Sequence, residues 1–134
     1  MPPVFTWTIR VYYEDTDAGG IVFYANYLKF FERARTEWLR ALDVNQQEMR
    51  EQHGAIFVVK NASIDYHAPA KLDNAITLTL WIEKLGRASV QFVQQASCGT
   101  ALLASARVKV GCVDQATLKP RPLPDAIAAK MHAA

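Results

Sequence analysis

The stretch most suited to chemistry runs from residue 14 to residue 39 and reads EDTDAGGIVFYANYLKFFERARTEWL. It places a carboxylate, Asp17, on a glycine-rich turn just before the start of a helical pattern. A helix N-terminus carries unsatisfied N–H groups and a partial positive charge, so it stabilises an oxyanion that forms on a carbonyl group. A carboxylate held opposite can attack that carbonyl, or deprotonate a water molecule that does. The stretch therefore contains the parts for acyl hydrolysis.

A purely structural interpretation of the same residues is the simpler one. Acidic residues before helices often cap the helix or complement its dipole, and glycine pairs often only turn the chain. The spacing DxDxGG, with Asp15 as its first acid, has no general catalytic meaning. On the residues alone this interpretation is favoured, and the catalytic one needs further support.

Other chemistries lack their usual motifs. The chain contains no GxSxG nucleophile elbow, HExxH zinc helix, P-loop or GxGxxG sequence. The histidines are scattered without metal-ligand spacing, and we expect surface or structural roles for His53, His67 and His132. Cys98 and Cys112 are too far apart for a CxxC motif and are interpreted as buried free thiols. We therefore expect neither a metal nor a redox cofactor.

Length and composition favour a single domain over residues 1–134. The formal net charge of +2 is too small for a nucleic-acid-binding patch, although a few Lys and Arg side chains would suffice to hold a phosphorylated small molecule. The first ten residues, MPPVFTWTIR, lack the regions of a signal peptide, and no run approaches the roughly 18 apolar residues that cross a membrane. We expect a cytoplasmic protein without a membrane span.

The elements that position the acidic turn are a strand before it and a long helix after it. Residues 5–13 are rich in β-branched and aromatic side chains and predict a strand. Residues 26–42 predict a helix with Asn26 as its N-cap. Arg35 is the one charge on the apolar stripe, so we expect it to snorkel or to meet a carboxylate. The predicted stripe comprises Leu28, Phe31, Ala34, Arg35, Trp38 and Leu42.

The remainder of the chain predicts a short helix at residues 46–52 and antiparallel strands after Gly54. Alternating apolar side chains define these strands, glycines fall between them, and a Pro-punctuated tail, KPRPLPDAIAAKM, closes the chain. A segregated order of this kind indicates an α+β fold, in which an antiparallel sheet carries one helix on a face. Trp81 and Val93 point to the other face, so we expect a partner subunit to cover it.

The segment VYYEDTDAGGIVFYANYLKFFERARTEWL, together with FVVKNASIDYHAPAKLDN and CVDQATLKPRPLP, resembles the 4-hydroxybenzoyl-CoA thioesterase branch of the hotdog-fold thioesterases. Within that branch it is most similar to the Tol-Pal-associated acyl-CoA thioesterases of Gram-negative bacteria. The resemblance covers nearly the whole chain and implies a hotdog fold, a curled antiparallel β-sheet wrapped around one long central helix. It also implies a homo-oligomer, a dimer or a tetramer, with active sites at the dimer interface and acyl-CoA as substrate.

The resemblance assigns roles to residues of the opening stretch. Asp17 matches the catalytic carboxylate, which acts as nucleophile or general base, and the backbone N–H of Tyr24 matches the group that polarises the thioester carbonyl. Gly19 and Gly20 match the turn that lets the substrate approach, and Asp15 is expected to brace that turn. The Tol-Pal-associated subgroup commonly has His where this chain has Tyr24, which leaves the acyl preference open.

Coenzyme A carries phosphates, which Arg and Lys side chains hold well. Arg87, in KLGRAS, matches a position where basic residues of relatives contact the nucleotide. Lys60 is a second candidate, because a lysine in an apolar strand needs an anion or an exposed edge. For each residue an ordinary solvated charge is the alternative.

Three other functions stay open at the level of sequence. The first is hydrolysis of acyl carrier protein thioesters, which share the phosphopantetheine arm of coenzyme A. The second is a hydratase or dehydratase, which needs a His near the helix start that residues 1–52 lack. The third is a non-catalytic acyl-CoA-binding or scaffolding role in an envelope or lipid-synthesis complex.

Overall fold

A computed structural model describes residues 4–134, which form one antiparallel sheet and three helices. In chain order the elements are β1 (Phe5–Arg10), α1 (Asn26–Ala41), α2 (Gln46–His53), β2 (Ala55–Tyr66), β3 (Ala75–Leu85), β4 (Ser89–Cys98), β5 (Ala101–Asp114) and α3 (Asp125–Ala133). The strand order across the sheet is β1-β3-β4-β5-β2, and every pairing is antiparallel. The α+β class and the segregated order expected from the sequence are confirmed.

The core lies between α1 and one face of the sheet. Phe30, Phe31 and Ala34 of α1 are at most 1% exposed. The strands supply every second side chain, because alternate residues of a strand point to the same face. Each buried Leu- or Phe-sized side chain stabilises the fold by about 1.5–3 kcal/mol, so this interface holds α1 against the sheet. The buried strand residues include Ile76, Leu78, Leu80, Val90, Phe92, Val108 and Cys112.

The apolar stripe of α1 is displaced from its predicted position. Tyr27 and Phe30 are buried, whereas Leu28 is 50% exposed. Spacings of three and four residues fit both arrangements, so the pattern did not determine where the stripe begins. The prediction of Leu28 as a core residue is therefore wrong, and Leu28 lies on an open side of the helix.

Arg35 finds an amide rather than the expected carboxylate. Its Nη1 donates to Oε1 of Gln94 at 2.9 Å, and Gln94 Nε2 donates to the Phe31 carbonyl at 3.0 Å. Gln94 is fully buried. Burial lowers the pKa of the Arg35 guanidinium, and the negative charge of Glu32 opposes that shift. Within residues 4–134, no carboxylate forms an ion pair with Arg35.

The two ends of the chain differ from the prediction. Residues 5–13 were expected to form one strand, but β1 ends at Arg10 and Tyr13–Asp15 form a 3-10 turn. The Pro-punctuated tail contains α3, whose first residue follows Pro124. Pro124 is the N-cap residue with an extended ψ of 138°, and its carbonyl accepts the N–H groups of Ile127 and Ala128.

The sheet face turned away from α1 carries the apolar pair that the sequence indicated. Trp81 and Val93 are register partners and both are partly exposed. Their strand neighbours Leu80 and Phe92 are buried against α1, so the side chains of Trp81 and Val93 point to the opposite face of the sheet. Trp81 also borders a groove at the end of the sheet.

Cys98 and Cys112 are free thiols, as expected, but only Cys112 is buried and Cys98 is partly exposed. Burial raises the pKa of the Cys112 thiol. No helix in the part of the chain that the structure describes combines the length and the apolarity needed to span a bilayer.

Candidate active site

A narrow turn carries Asp17. Thr16 and Val22 form an antiparallel bridge across the base of the turn. The Asp17 N–H donates to the Ile21 carbonyl at 2.9 Å, and the Gly20 N–H donates to the Asp17 carbonyl at 3.0 Å. Gly20 has φ +81°, a left-handed conformation that glycine adopts without strain. The glycine pair therefore serves a tight turn, as its position in the sequence indicated.

The Asp17 carboxylate is exposed, and only one of its two oxygens accepts a hydrogen bond. Its Oδ1 accepts a hydrogen bond from the Gly19 N–H at 2.8 Å, which orients the group. Its Oδ2 has no hydrogen-bond or ion-pair partner among residues 4–134. A carboxylate with one oxygen fixed and the other free is suited to take a proton from water or to attack a carbonyl carbon.

Asp15 connects the acidic turn to the start of α1. Its Oδ2 accepts from the Tyr12 N–H at 2.8 Å and so closes the 3-10 turn. Its carbonyl accepts from the Phe23 N–H at 2.9 Å and from Asn26 Nδ2 at 2.8 Å. The predicted N-cap is wrong by one residue: Ala25 occupies that position, because the Asn26 amide is engaged with Asp15. Asp15 braces the turn.

The N-terminus of α1 presents a backbone donor just after these contacts. The N–H of Tyr24 makes no hydrogen bond to any other residue that the structure describes. The carbonyl of Tyr24 accepts from the Tyr66 hydroxyl at 3.1 Å, and the two rings meet edge to face with centroids 5.9 Å apart. An unsatisfied N–H at a helix start is the kind of group that stabilises an oxyanion.

Tyr66 was not identified from the sequence. It is the last residue of β2 and lies 42 positions from Tyr24, so no local pattern links the two. Its ring also contacts Tyr27, with centroids 5.7 Å apart. Burial, and to a lesser extent the neighbouring Tyr24, raise the pKa of the Tyr66 phenol, which therefore stays a hydrogen-bond donor. Tyr66 holds the first peptide of the helix start in place.

The two predicted phosphate-binding residues lie away from this turn. Arg87 is exposed in the connection between β3 and β4, at the opposite end of β3 from Ala75. Ala75 pairs with Arg10, just before the acidic turn. The length of β3 separates its two ends by about 30–35 Å. Lys60 occupies a bulge of β2, and its stem lies over Gly111 on the face away from α1.

Within one protomer the structure brings together Asp17, Gly19, Gly20 and Tyr24, and leaves out both basic residues. Lys71, which the sequence analysis did not select, pairs with Ile21 beside the turn and is exposed. No group of three or more His, Cys, Asp or Glu side chains within residues 4–134 is arranged to hold a metal ion.

The chain is similar to known thioesterases in sequence and in fold. Residues 11–131 match the family described as the thioesterase-like superfamily. The chain is 45% identical over 128 residues to the acyl-CoA thioesterase YbgC of Haemophilus influenzae, covering 96% of this chain and 94% of that protein. It is 44% identical over 128 residues to the acyl-CoA thioester hydrolase YbgC of Escherichia coli O6:H1, covering 95% of each.

A solved structure extends the likeness to three dimensions. The crystal structure of a probable thioesterase from Bartonella henselae is 34% identical and matches with a TM-score of 0.86, covering 91% of this chain and 100% of that chain. Such neighbours share the hotdog fold, which confirms the fold that the sequence implied. The chain belongs to the thioesterase-like superfamily, and it is a thioester hydrolase.

Proposed function

We propose that the protein hydrolyses acyl-CoA thioesters to a free carboxylic acid and coenzyme A. One observation carries the proposal. The turn that bears Asp17, which has one free carboxylate oxygen, is held by the hydrogen bonds of Asp15 to the segment that bears the unsatisfied N–H of Tyr24. The names of the relatives in H. influenzae and E. coli support acyl-CoA as the substrate class. No metal or redox cofactor takes part in the proposed reaction.

In the proposed mechanism the thioester carbonyl lies between Asp17 and the start of α1, with its oxygen toward the Tyr24 N–H. Asp17 Oδ2 either takes a proton from a water molecule that adds to the carbonyl carbon, or attacks that carbon itself and forms an anhydride that water then hydrolyses. Both routes place negative charge on the carbonyl oxygen before the C–S bond breaks. The coenzyme A thiolate leaves and takes up a proton.

The Tyr24 N–H is the proposed oxyanion donor. Loss of one such donor typically costs about 2.7–4 kcal/mol of transition-state stabilisation. Because the donor is a backbone group, the tyrosine side chain can replace the histidine of related sequences without removing it. Gly19 and Gly20 leave the approach to this donor free of side chains.

The proposed enzyme is a homo-oligomer whose substrate site spans two protomers. In one chain the Asp17 carboxylate is exposed, and the 12-residue strand β2 forms an edge that another strand can pair with. Arg87 lies about 30–35 Å along β3 from the acidic turn of its own chain, and Lys60 lies on the sheet face away from α1, so neither is placed beside that turn. A dimer, or a dimer of dimers, would bring basic residues of one protomer to the turn of another.

Acyl carrier protein thioesters are the second candidate substrates, and one surface feature favours them. Lys60, Arg107 and Lys109 border a shallow pocket on the sheet face away from α1. Arg107 pairs with Glu83 at 3.0 Å, which leaves two cations to meet an acidic protein.

A cytoplasmic location is part of the proposal, because free Cys98 and Cys112 suit a reducing compartment. A non-catalytic scaffolding role would leave the Asp17 arrangement without a purpose.

Release of free thiol from coenzyme A and acyl carrier protein thioesters tests the proposal. Asp17→Asn keeps the Oδ1 acceptor for Gly19 but cannot act as base or nucleophile, so we expect kcat to fall by about 10²–10⁴-fold. Asp43→Asn is the matched control, because asparagine tolerates the positive φ of that remote position. Equal rates for wild type and a folded Asp17→Asn protein would overturn the proposed mechanism. Hydrolysis of acyl carrier protein thioesters alone would favour the second substrate class.

A further inference from the structure

Two cavities flank the second half of α1. The first has a volume of about 140 Å³ and lies between α1 and the strands β2, β4 and β5. The second is a groove of about 500 Å³ at the C-terminal end of α1, bordered by Phe5, Trp38, Ile82 and Leu85. Met131 of α3 is the one residue that lines both. We call them the inner cavity and the end groove.

The inner cavity is polar at its mouth and apolar in its depth. Glu32 and Gln46 are exposed, and they line the cavity together with Arg35 and Thr36. Val59, which also lines the cavity, is exposed, and Phe57 and Val58 are partly buried. The remaining walls are buried and apolar, so the charged groups face solvent at the opening. These buried walls include Leu39, Val90, Phe92, Val110 and Met131, all at most 7% exposed.

The candidate active site and the inner cavity lie along the same two elements, α1 and β2. At one end the Tyr66 ring of β2 contacts the Tyr24 ring at the helix start. At the other end Val59 of β2 lines the inner cavity together with Glu32 of α1. Leu28, one helical turn before Glu32, is 50% exposed, and Val59 is 54% exposed. The distance from Tyr24 to Glu32 along the helix is about 12 Å.

We propose that the inner cavity holds the far end of the acyl group and that Met131 is the floor which sets its maximum size. This inference rests on the proposed thioesterase function and adds the residue that determines acyl length. An apolar acyl chain can follow the surface between α1 and β2, because Leu28 and Val59 are exposed there ahead of the polar mouth of the inner cavity. It then reaches buried apolar walls beyond the polar mouth.

The volume explains why the floor determines specificity. A cavity of about 150 Å³ with apolar walls holds one benzene molecule, so the inner cavity holds a short chain or a single ring. The end groove behind Met131 is larger, and Met131 is 2% exposed and fills the space between the two. Removing its side chain would join the cavities and admit a longer chain.

The test compares kcat/KM for butanoyl-, hexanoyl-, dodecanoyl- and hexadecanoyl-CoA. For wild type we expect a maximum at the short chains. For Met131→Ala we expect kcat/KM for dodecanoyl-CoA, relative to butanoyl-CoA, to rise by about tenfold or more, the effect of a methylene or two in an apolar pocket. Met131→Leu conserves volume and is expected to keep the wild-type profile. Ile127→Ala, at a buried residue of α3 that lines neither cavity, controls for general loosening of that helix.

Met131→Phe gives a second, opposite test that does not depend on a folded Ala variant. It is expected to shift the maximum toward butanoyl-CoA. An unchanged chain-length profile in a folded Met131→Ala or Met131→Phe protein would overturn the inference, as would the same shift in Ile127→Ala. If wild type cleaved none of these thioesters, the proposed function would fail instead, so the two failures are distinguishable.

Discussion

At the scale of single residues, one backbone hydrogen bond rather than a salt bridge holds the carboxylate of Asp17. The Gly19 N–H fixes one oxygen of Asp17, and the turn that supplies this donor is closed by Gly20. A carboxylate oriented in this way keeps one oxygen free, whereas a cation in contact would occupy it. Gly19 therefore orients the carboxylate, whereas Gly20 closes the turn, so substitutions at the two positions are expected to have different effects.

Gly19→Ala is expected to impair activity more than stability. A Cβ at this position would lie 3.2 Å from Asp17 Oδ1, closer than an ordinary contact, so the carboxylate has to shift. Displacement of a reacting group lowers kcat by about 10–100-fold. Gly20→Ala has no atom within 4 Å of the new Cβ but retains φ +81°, so we expect a loss of about 1–2 kcal/mol in the free energy of unfolding.

Thiol release and urea unfolding on both variants check this pair of expectations. Gly99→Ala is the matched control for backbone strain, because Gly99 has φ +59° and open space in the remote β4–β5 turn. Full kcat in Gly19→Ala would contradict the role given to the Gly19–Asp17 contact. A lower kcat in Gly99→Ala would show that strain alone affects the site.

Tyr66→Phe tests the positioning of the oxyanion donor. Loss of the hydroxyl removes the hydrogen bond to the Tyr24 carbonyl, so we expect kcat to fall by about 2–10-fold while KM changes little. Tyr27→Phe, which keeps a ring against Tyr66 but makes no such bond, is the control. A fall of similar size in both variants would point to general packing rather than positioning.

The pH dependence of unfolding supplies a second readout for Tyr66. Its pKa in the folded chain is raised above 10.0 by burial and by Tyr24. The unfolded chain therefore loses this proton first as pH rises, so the contribution of Tyr66 to stability is complete below pH 10 and is lost as pH rises through the folded-state pKa. Tyr66→Phe is expected to lack this alkaline loss in urea unfolding between pH 8 and about 11.

At the scale of elements, one polar connection crosses the otherwise apolar interface between α1 and the sheet. Gln94 of β4 accepts from Arg35 and donates to the Phe31 carbonyl, and it is fully buried. Gln94→Leu would leave the buried Arg35 donor without its acceptor and remove the side-chain hydrogen bond to the Phe31 carbonyl, which costs about 1–3 kcal/mol in the free energy of unfolding. Gln95→Leu, one residue on and partly exposed, is expected to change it by less than about 0.5 kcal/mol.

Urea unfolding of the two variants and of Arg35→Met/Gln94→Leu checks the connection. Replacing both partners by apolar side chains removes the unpaired Arg35 donors, so the double variant is expected to recover part of the loss. Equal stability of Gln94→Leu and Gln95→Leu would mean that the hydrogen bonds across this interface contribute nothing.

The elements also show what sequence can and cannot reveal. The acidic turn and the helix start were predictable, because Asp17, both glycines and Tyr24 lie within eight residues and follow local rules. The contact of Tyr66 with the helix start was not, because 42 positions separate the two tyrosines. The stripe of α1 was misplaced at Leu28, since the helix is enclosed on more than one side and period alone does not choose the core face. The helix α3 was missed because the three prolines before it, Pro120, Pro122 and Pro124, are typical of loops.

At the scale of the whole molecule, the candidate site is open in a single chain. Asp17 is exposed, and Arg87 lies at the far end of β3, about 30–35 Å along the strand from the acidic turn. If Arg87 binds the phosphates of coenzyme A, it does so for a neighbouring protomer. Arg87→Met is then expected to raise KM with little change in kcat, whereas Lys84→Met, a nearby exposed cation, leaves KM unchanged.

Hybrid oligomers test whether Arg87 acts on the partner's site. In a dimer of one Asp17→Asn chain and one Arg87→Met chain, the site with intact Asp17 receives intact Arg87 only if the two residues come from different protomers. Random pairing of co-expressed chains then restores about a quarter of wild-type activity at low substrate concentration, from two parents that are each far weaker. If both residues belong to one protomer's site, every site of the hybrid lacks one of them, and mixing restores nothing. Different affinity tags on the two chains and purification on both tags in turn confirm that hybrids form, so that an absence of rescue counts against a shared site.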